Sequence, residues 1–169
     1  MTKFLLVLHV LVAIVAVGPV TVAASMFPPS ARRALAEPDN PRATETVRLL
    51  HRICRVYAAL GIAVPVLGMA TALSMGVLHD TWLIVSMVLT GIAAAVLLAL
   101  VLPRQEEIIE AVGSASATST ASPEVAEVAE VAVNPRVTVR LAMFTGIFNL
   151  LWATVTILMI VRPGSTTGA

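Results

Sequence analysis

The chain has 169 residues, of which 58% are hydrophobic and 12% charged, whereas an ordinary globular domain is roughly 45–50% apolar and about 25% charged. The formal net charge of +1 excludes a strongly basic surface for nucleic acid, and the single cysteine excludes an internal disulfide and a cysteine-based metal cluster. The mean hydropathy of +0.93 indicates an integral membrane protein.

Four stretches contain no Asp, Glu, Lys or Arg, and each is long enough to cross the roughly 30 Å hydrocarbon core of a bilayer as a helix. They are residues 4–27, 56–78, 81–102 and 141–161. The sequence therefore predicts an all-α fold in one domain over residues 1–169, an integral membrane four-helix transmembrane bundle.

The first stretch has an alternative interpretation as a cleaved signal peptide, because Lys3 precedes an apolar run that ends in the small residues Ala23, Ala24 and Ser25. We favour a retained helix. The stretch is long for the apolar h-region of a signal peptide, and cleavage would place the arginine-rich connection that follows outside the cell.

Basic residues are concentrated in the two long connections. The first connection, 28–55, carries Arg32, Arg33, Arg42, Arg48, Arg52 and Arg55, and the other, 103–140, carries Arg104, Arg136 and Arg140. The positive-inside rule predicts that both connections are cytoplasmic and both termini are outside. Arginine-, alanine- and valine-rich usage is associated with bacteria that have GC-rich genomes, so the predicted location is a bacterial plasma membrane.

The arginines of the first connection are also candidates for contact with anionic lipid headgroups, each contributing on the order of 1 kcal/mol of attraction. They are Arg32, Arg33, Arg48, Arg52 and Arg55. The simpler interpretation, which we favour, is that they set the topology alone.

The two connections share a motif, N-P-R-x-T followed by V-R-L, at residues 40–49 and 134–141. In the second connection, residues 113–133 are Ser/Thr/Ala-rich and then repeat Glu-Val-Ala, which predicts a flexible low-complexity cytoplasmic insert. Without this insert the chain resembles two parallel helical hairpin repeats. Coincidence is the alternative, since the spans themselves match poorly.

Local signals predict how the helices begin and pack. Asn40 and Pro41 are typical of an N-cap and a first helical position, and Pro65 is expected to kink the second span. Small residues four apart are expected to form ridges that bring the second and third spans into close contact. These residues are Gly68, Ala72 and Gly76 on the second span and Gly91, Ala95 and Ala99 on the third.

Polar residues within spans are candidate functional residues. His9 lies within the first span and His79 in the turn after the second, near the same leaflet in the predicted topology, whereas His51 is remote from both. Imidazole ligands suit heme b or copper, so His9 and His79 are candidate cofactor ligands. The alternative is a helix–helix hydrogen bond for His9 and an interfacial turn residue at His79. Asn149 is expected to join helices.

Leu8-His9-Val10, the Gly18-Pro19 pair and the basic connection that follows resemble a family of small four-helix bacterial membrane proteins catalogued as a domain of unknown function. Its remoter relatives include the copper-resistance protein D domain and heme-type protoporphyrinogen oxidases. The resemblance covers residues 1–100 and the last span, and implies a functional histidine at His9 and a basic partner at Arg32 or Arg33. The aromatic-x-Gly pattern of those relatives is missing, since Val17 precedes Gly18.

The sequence contains no paired carboxylates at membrane depth, no nucleophile–base pair and no phosphate-binding loop, so no catalytic or metal-binding constellation is predicted. We therefore expect a non-enzymatic structural or accessory protein that associates with itself or with other membrane subunits. The alternatives are a heme- or copper-binding redox protein that uses His9 and, less favoured, a small-solute permease.

Overall fold

The computed structural model of the protein describes residues 2–118 and 135–164, and every regular element within these ranges is helical. The elements are α1 (Thr2–Ala36), α2 (Pro41–Gly61), α3 (Ala63–Met75), α4 (Thr81–Ala95), a π-helical segment (Val96–Val101), α5 (Leu102–Thr118) and α6 (Pro135–Val161). Because α2 continues into α3, and α4 through the π segment into α5, the helices form four long rods. Each rod is long and apolar enough to cross a membrane. The predicted all-α fold with four spans is confirmed, and the protein is a multi-pass membrane protein.

The rods are longer than the predicted spans, because the helices continue through the prolines that follow two of those spans. Pro28 and Pro29 lie within α1, and Pro103 lies within α5. The expected connection of residues 28–55 is therefore mostly helical: α1 ends at Ala36 and α2 begins at Pro41. Packing of the buried Phe27, Ala31 and Ala34 against α2 outweighs the backbone donors that the prolines remove.

The predicted start of the second rod is confirmed. Asn40 caps α2, and its Oδ1 accepts hydrogen bonds from the backbone N–H groups of Arg42 at 3.2 Å and Ala43 at 3.4 Å. The second copy of the motif also stands at a helix start, since α6 begins at Pro135. Residues 113–118 of the predicted insert belong to α5. Residues 119–133, like Asn134, lie outside the described residues.

The second rod is interrupted at Ile62, three residues before Pro65, where the sequence predicted a kink. Pro65 has no N–H to donate to the carbonyl four residues earlier, and its ring crowds that carbonyl. The Ile62 N–H bonds to the Ala59 carbonyl at 3.2 Å, a shorter loop than the α-helical one.

In the third rod, the π segment accommodates Pro103, which likewise has no N–H to donate to the carbonyl four residues earlier. The Leu102 N–H donates to the Leu97 carbonyl, five residues back instead of four. In an α-helix each step of four residues turns by about 40°, so a face repeating every four residues would drift steadily around the rod. The wider π turn removes much of that drift and keeps one face buried, namely Ala93, Leu97, Val101 and Gln105.

The core lies where α1 packs against α2, α3 and α6, while α4 packs against α6. The expected close contact between the two small-residue ridges is wrong. Gly68 and Ala72 face inward, and Gly76 ends α3 with a positive φ of 72° as its C-cap. The ridge on the third rod, Gly91, Ala95 and Ala99, is exposed on the outside of the bundle. In lipid, a helix gains little by facing protein over hydrocarbon, so small residues alone do not select their partner.

The distance between polar boundary residues matches a bilayer. The helical rod from Trp82 to Arg104 advances 22 residues, and the chain advances the same number from Arg140 in α6 to Arg162, directly after α6 ends. At 1.5 Å per residue each distance is about 33 Å, close to the roughly 30 Å hydrocarbon thickness. Trp82 and Arg162 meet at one boundary, where the guanidinium lies 5.6 Å from the ring centroid.

Candidate functional site

His9 lies in the interface between α1 and α3, where the absence of a side chain at Gly68 makes room for its ring. A Cβ at position 68 would lie 3.0 Å from the Cε1 atom of His9, and the ring lies near the Val64 backbone carbonyl. The Nδ1 atom of His9 is buried and has no hydrogen-bond partner in the described part of the chain. The ring therefore packs between two helices and keeps one ring nitrogen unused.

His79 is not brought to His9. It is exposed in the turn after α3, whereas His9 contacts Gly68, and α3 rises about 12 Å between Gly68 and Gly76. Two axial ligands must reach the same iron atom, so this pair does not fit a six-coordinate heme. No group of three His, Cys, Asp or Glu side chains suited to a metal ion occurs within residues 2–118 and 135–164.

The buried polar cluster of the molecule lies elsewhere, between α2 and α5, and sequence reasoning missed it. The Nδ1 atom of His51 lies 3.1 Å from the Gln105 Oε1, and the Gln105 Nε2 donates toward the Cys54 Sγ at 3.6 Å. Gln105 and Cys54 are completely buried. The Nε2 atom of His51 also lies 3.6 Å from a Glu106 carboxylate oxygen. The cluster fixes the register of α2 against α5, because any slip would leave a buried amide unsatisfied.

One sequence signal could have located Gln105. It precedes Ile108 and Val112 by three and seven residues, the spacing of one helix face, and both of these residues are buried. Pro103 obscures this signal, because a proline is disfavoured in the interior of a helix.

Asn149 joins helices as predicted. Its Nδ2 donates to the Ser25 Oγ on α1 at 3.0 Å, and the Ser25 Oγ donates in turn to the Thr21 carbonyl at 2.7 Å. The Asn149 Oδ1 and the Thr145 Oγ1 are buried and have no partner among the described residues.

The predicted lipid-facing arginines are all exposed, as contact with headgroups requires, and they lie on α1 and α2 at one end of the bundle. They are Arg32, Arg33, Arg48, Arg52 and Arg55. Arg33 lies 3.6 Å from a Glu37 carboxylate oxygen in an exposed ion pair. Such a pair contributes little to stability, so the arginine remains available to solvent or headgroups.

Comparison with known proteins adds no assignment: no protein-family model, no curated protein and no solved structure matches the chain. The resemblance at His9 and Gly18 therefore stays an expectation. The geometry offers three features on which a function can be built: an outward ridge on α4, an interhelical histidine at position 9, and the arginine-rich end.

Proposed function

We propose that the protein is a non-enzymatic membrane protein that associates through the lipid-facing side of α4, with a second copy of itself or with another membrane subunit. One observation carries the proposal: Gly91 and Ala95 of α4, with Ala99 of the π-helical segment, form a small-residue ridge that is exposed outside the bundle. A Cβ at Gly91 would meet no atom within 4 Å among the described residues. Close approach of backbones at such ridges is a main source of helix association in lipid.

The ridge on the second rod supports this interpretation by contrast. There Gly68 accommodates the His9 ring, and Ala72 is buried beside Trp82 and Leu83. Small residues therefore bring helices together inside this bundle. The equivalent pattern on α4 remains available for an outside helix.

Energy transfer between copies of the protein, fused to donor and acceptor fluorescent proteins and reconstituted in liposomes, tests self-association. We expect transfer that Ala95→Leu abolishes, because a leucine holds the backbones apart. The exposed Ala153 on α6 gives the matched control, and Ala153→Leu leaves transfer unchanged. If the copies show no transfer and no membrane protein copurifies stoichiometrically in mild detergent, the proposal is wrong.

We further propose a bacterial plasma membrane with the arginine-rich end in the cytoplasm and anionic lipids around it, on the basis of the arginine distribution. Arg32→Cys provides an accessible thiol at this end, while the native Cys54 is buried. In intact cells, a membrane-impermeant thiol reagent should leave this variant unlabelled until the membrane is opened. Labelling of intact cells would reverse the orientation.

The alternative function, heme or copper binding by His9, is favoured by one observation, the buried Nδ1 atom with no partner in the described part of the chain. It ranks second because His79 does not lie near His9 and so does not provide a second ligand there. An absorption spectrum and copper analysis of the purified protein test it. A Soret band or bound copper that His9→Ala removes would support this alternative over an association role.

A further inference from the structure

An apolar cavity of about 140 Å³ lies within the bundle, and none of the ridge residues Gly91, Ala95 and Ala99 lines it. All four rods line it, and the interruption of the second rod forms one wall, with Gly61, Ile62 and Pro65. The π segment contributes Leu97 and Leu98 to the opposite wall. Two departures from regular helix geometry therefore meet at this cavity, and π segments occur frequently at functional sites.

The cavity opens between the second and third rods, where the predicted ridge contact is missing. Ile62 and Pro65 on one rod and Ala94 and Leu98 on the other line the cavity and are themselves exposed. The gap between these rods is therefore an entrance from the hydrocarbon. A ligand that reaches the cavity this way must be soluble in the membrane.

The volume of the cavity suits a small ring. A cavity on the order of 150 Å³ lined by apolar side chains holds one benzene molecule. Three aromatic residues, Tyr57, Phe148 and Trp152, line the cavity and offer faces and edges to a flat ring.

Two of the lining residues, Tyr57 and Trp152, carry hydrogen-bond donors. Within residues 2–118 and 135–164, neither the Tyr57 hydroxyl nor the Trp152 indole N–H donates to any protein atom. Trp152 lies 12 residues from Arg140 and 10 from Arg162, hence about 18 and 15 Å from the two polar boundaries. At that depth no water is present to accept the bond, and an unsatisfied polar group is costly. A plain acyl chain would fill the space but leave the Trp152 N–H unpaired.

We propose that the cavity binds the ring of a membrane-soluble quinone. Carbonyl oxygens of the ring accept hydrogen bonds from Tyr57 and Trp152, and the isoprenoid tail leaves between Ile62 and Leu98 into the lipid. The ring brings two acceptors on a flat apolar body, which matches the donors, the aromatic walls and the volume.

The fluorescence of Trp152 reports quinone binding in the test. Trp82→Phe leaves Trp152 as the remaining one of the two tryptophans. A decyl-substituted benzoquinone is titrated into this protein in nanodiscs while the fluorescence is recorded. We expect saturable quenching at one quinone per chain. Tyr57→Phe, which removes one donor, should raise the Kd roughly 3–10-fold.

Two alanines provide a matched comparison on this background. Ala94→Leu places a larger side chain at the entrance and should raise the Kd more than 10-fold, whereas Ala153→Leu, exposed but outside the cavity lining, leaves it unchanged. Leu98→Trp blocks the other side of the entrance and replaces Ala94→Leu if that variant loses its helical circular dichroism; its binding is read by competition for a radiolabelled quinone.

Decylbenzene separates quinone recognition from simple filling of space, because it has the ring and tail but no acceptor. We expect it to displace the quinone poorly. The proposal is overturned if quenching rises linearly without saturation, if Ala94→Leu and Ala153→Leu bind alike, or if decylbenzene displaces the quinone fully while Tyr57→Phe has no effect.

Discussion

The two ends of the bundle are packed by different forces. At the charged end, residues 27–55 and 104–114, three rods enclose a tight core in which Phe27, Cys54 and Gln105 are completely buried. Toward the opposite half, residues 2–20, 62–95 and 150–164, an apolar cavity opens between the second and third rods, which meet again around Ala72, Trp82 and Leu83. Water drives apolar burial where the helices leave the membrane, whereas lipid exerts no such force on the rest. The looser half is therefore free to admit a ligand.

Truncation of a buried aromatic side chain should produce the largest difference between the two ends. Phe27→Ala leaves a void in the charged end, and we expect the free energy of unfolding to fall by about 2–4 kcal/mol. Phe4→Ala, at an exposed ring in the opposite half, should change it by less than about 0.5 kcal/mol. SDS titration in mixed micelles measures both. Equal losses would show that the two ends are packed alike.

The contrast also explains what sequence alone revealed. The sequence alone revealed the four uncharged stretches, the arginine distribution and the helix start at Asn40-Pro41. Each of these features depends on local chemistry. The helical continuation through Pro28 and Pro103 was not, since tertiary packing and a π segment overrode the local preference of proline. The sequence could not predict whether the small-residue ridge of the third rod faces protein or lipid. Both lipid and protein are apolar neighbours, so the pattern of Gly91, Ala95 and Ala99 is the same in either case.

Gly68 makes a close contact, with the His9 ring, inside the more loosely packed half of the bundle. Gly68→Leu should lower the free energy of unfolding by about 1–3 kcal/mol, because the new side chain meets the His9 ring. Gly18→Leu on α1 is the control, since a Cβ there has no neighbour within 4 Å among the described residues. Removal of the ring by His9→Ala should restore much of the loss in the Gly68→Leu background. No restoration would mean that the helices, not the ring, resist the substitution.

Substitutions in the polar cluster test whether the stability of the charged end depends on the buried Gln105 amide. Gln105→Leu removes the hydrogen bond to His51 and leaves the Nδ1 atom of its largely buried imidazole unpaired, so we expect a loss of about 1–3 kcal/mol. The double variant with His51→Leu should lose less than the sum of the two single changes, because apolar partners replace both polar groups. Additive losses in a double-mutant cycle would show that the hydrogen bond contributes no interaction energy between the two residues.

The smallest effect should come from the cap of α2. Asn40→Ala removes the acceptor for the Arg42 and Ala43 N–H groups and should cost about 1 kcal/mol, while Asn40→Ser retains an acceptor and should cost less. The corresponding cap of α4 behaves differently. The Asp80 side chain makes no capping bond there and accepts instead from the Trp82 indole N–H at 2.9 Å. Asp80→Asn keeps that acceptor and should be nearly neutral. If Asn40→Ala were equally neutral, packing alone would hold the first turn of α2, and the cap would contribute nothing to the stability of the charged end.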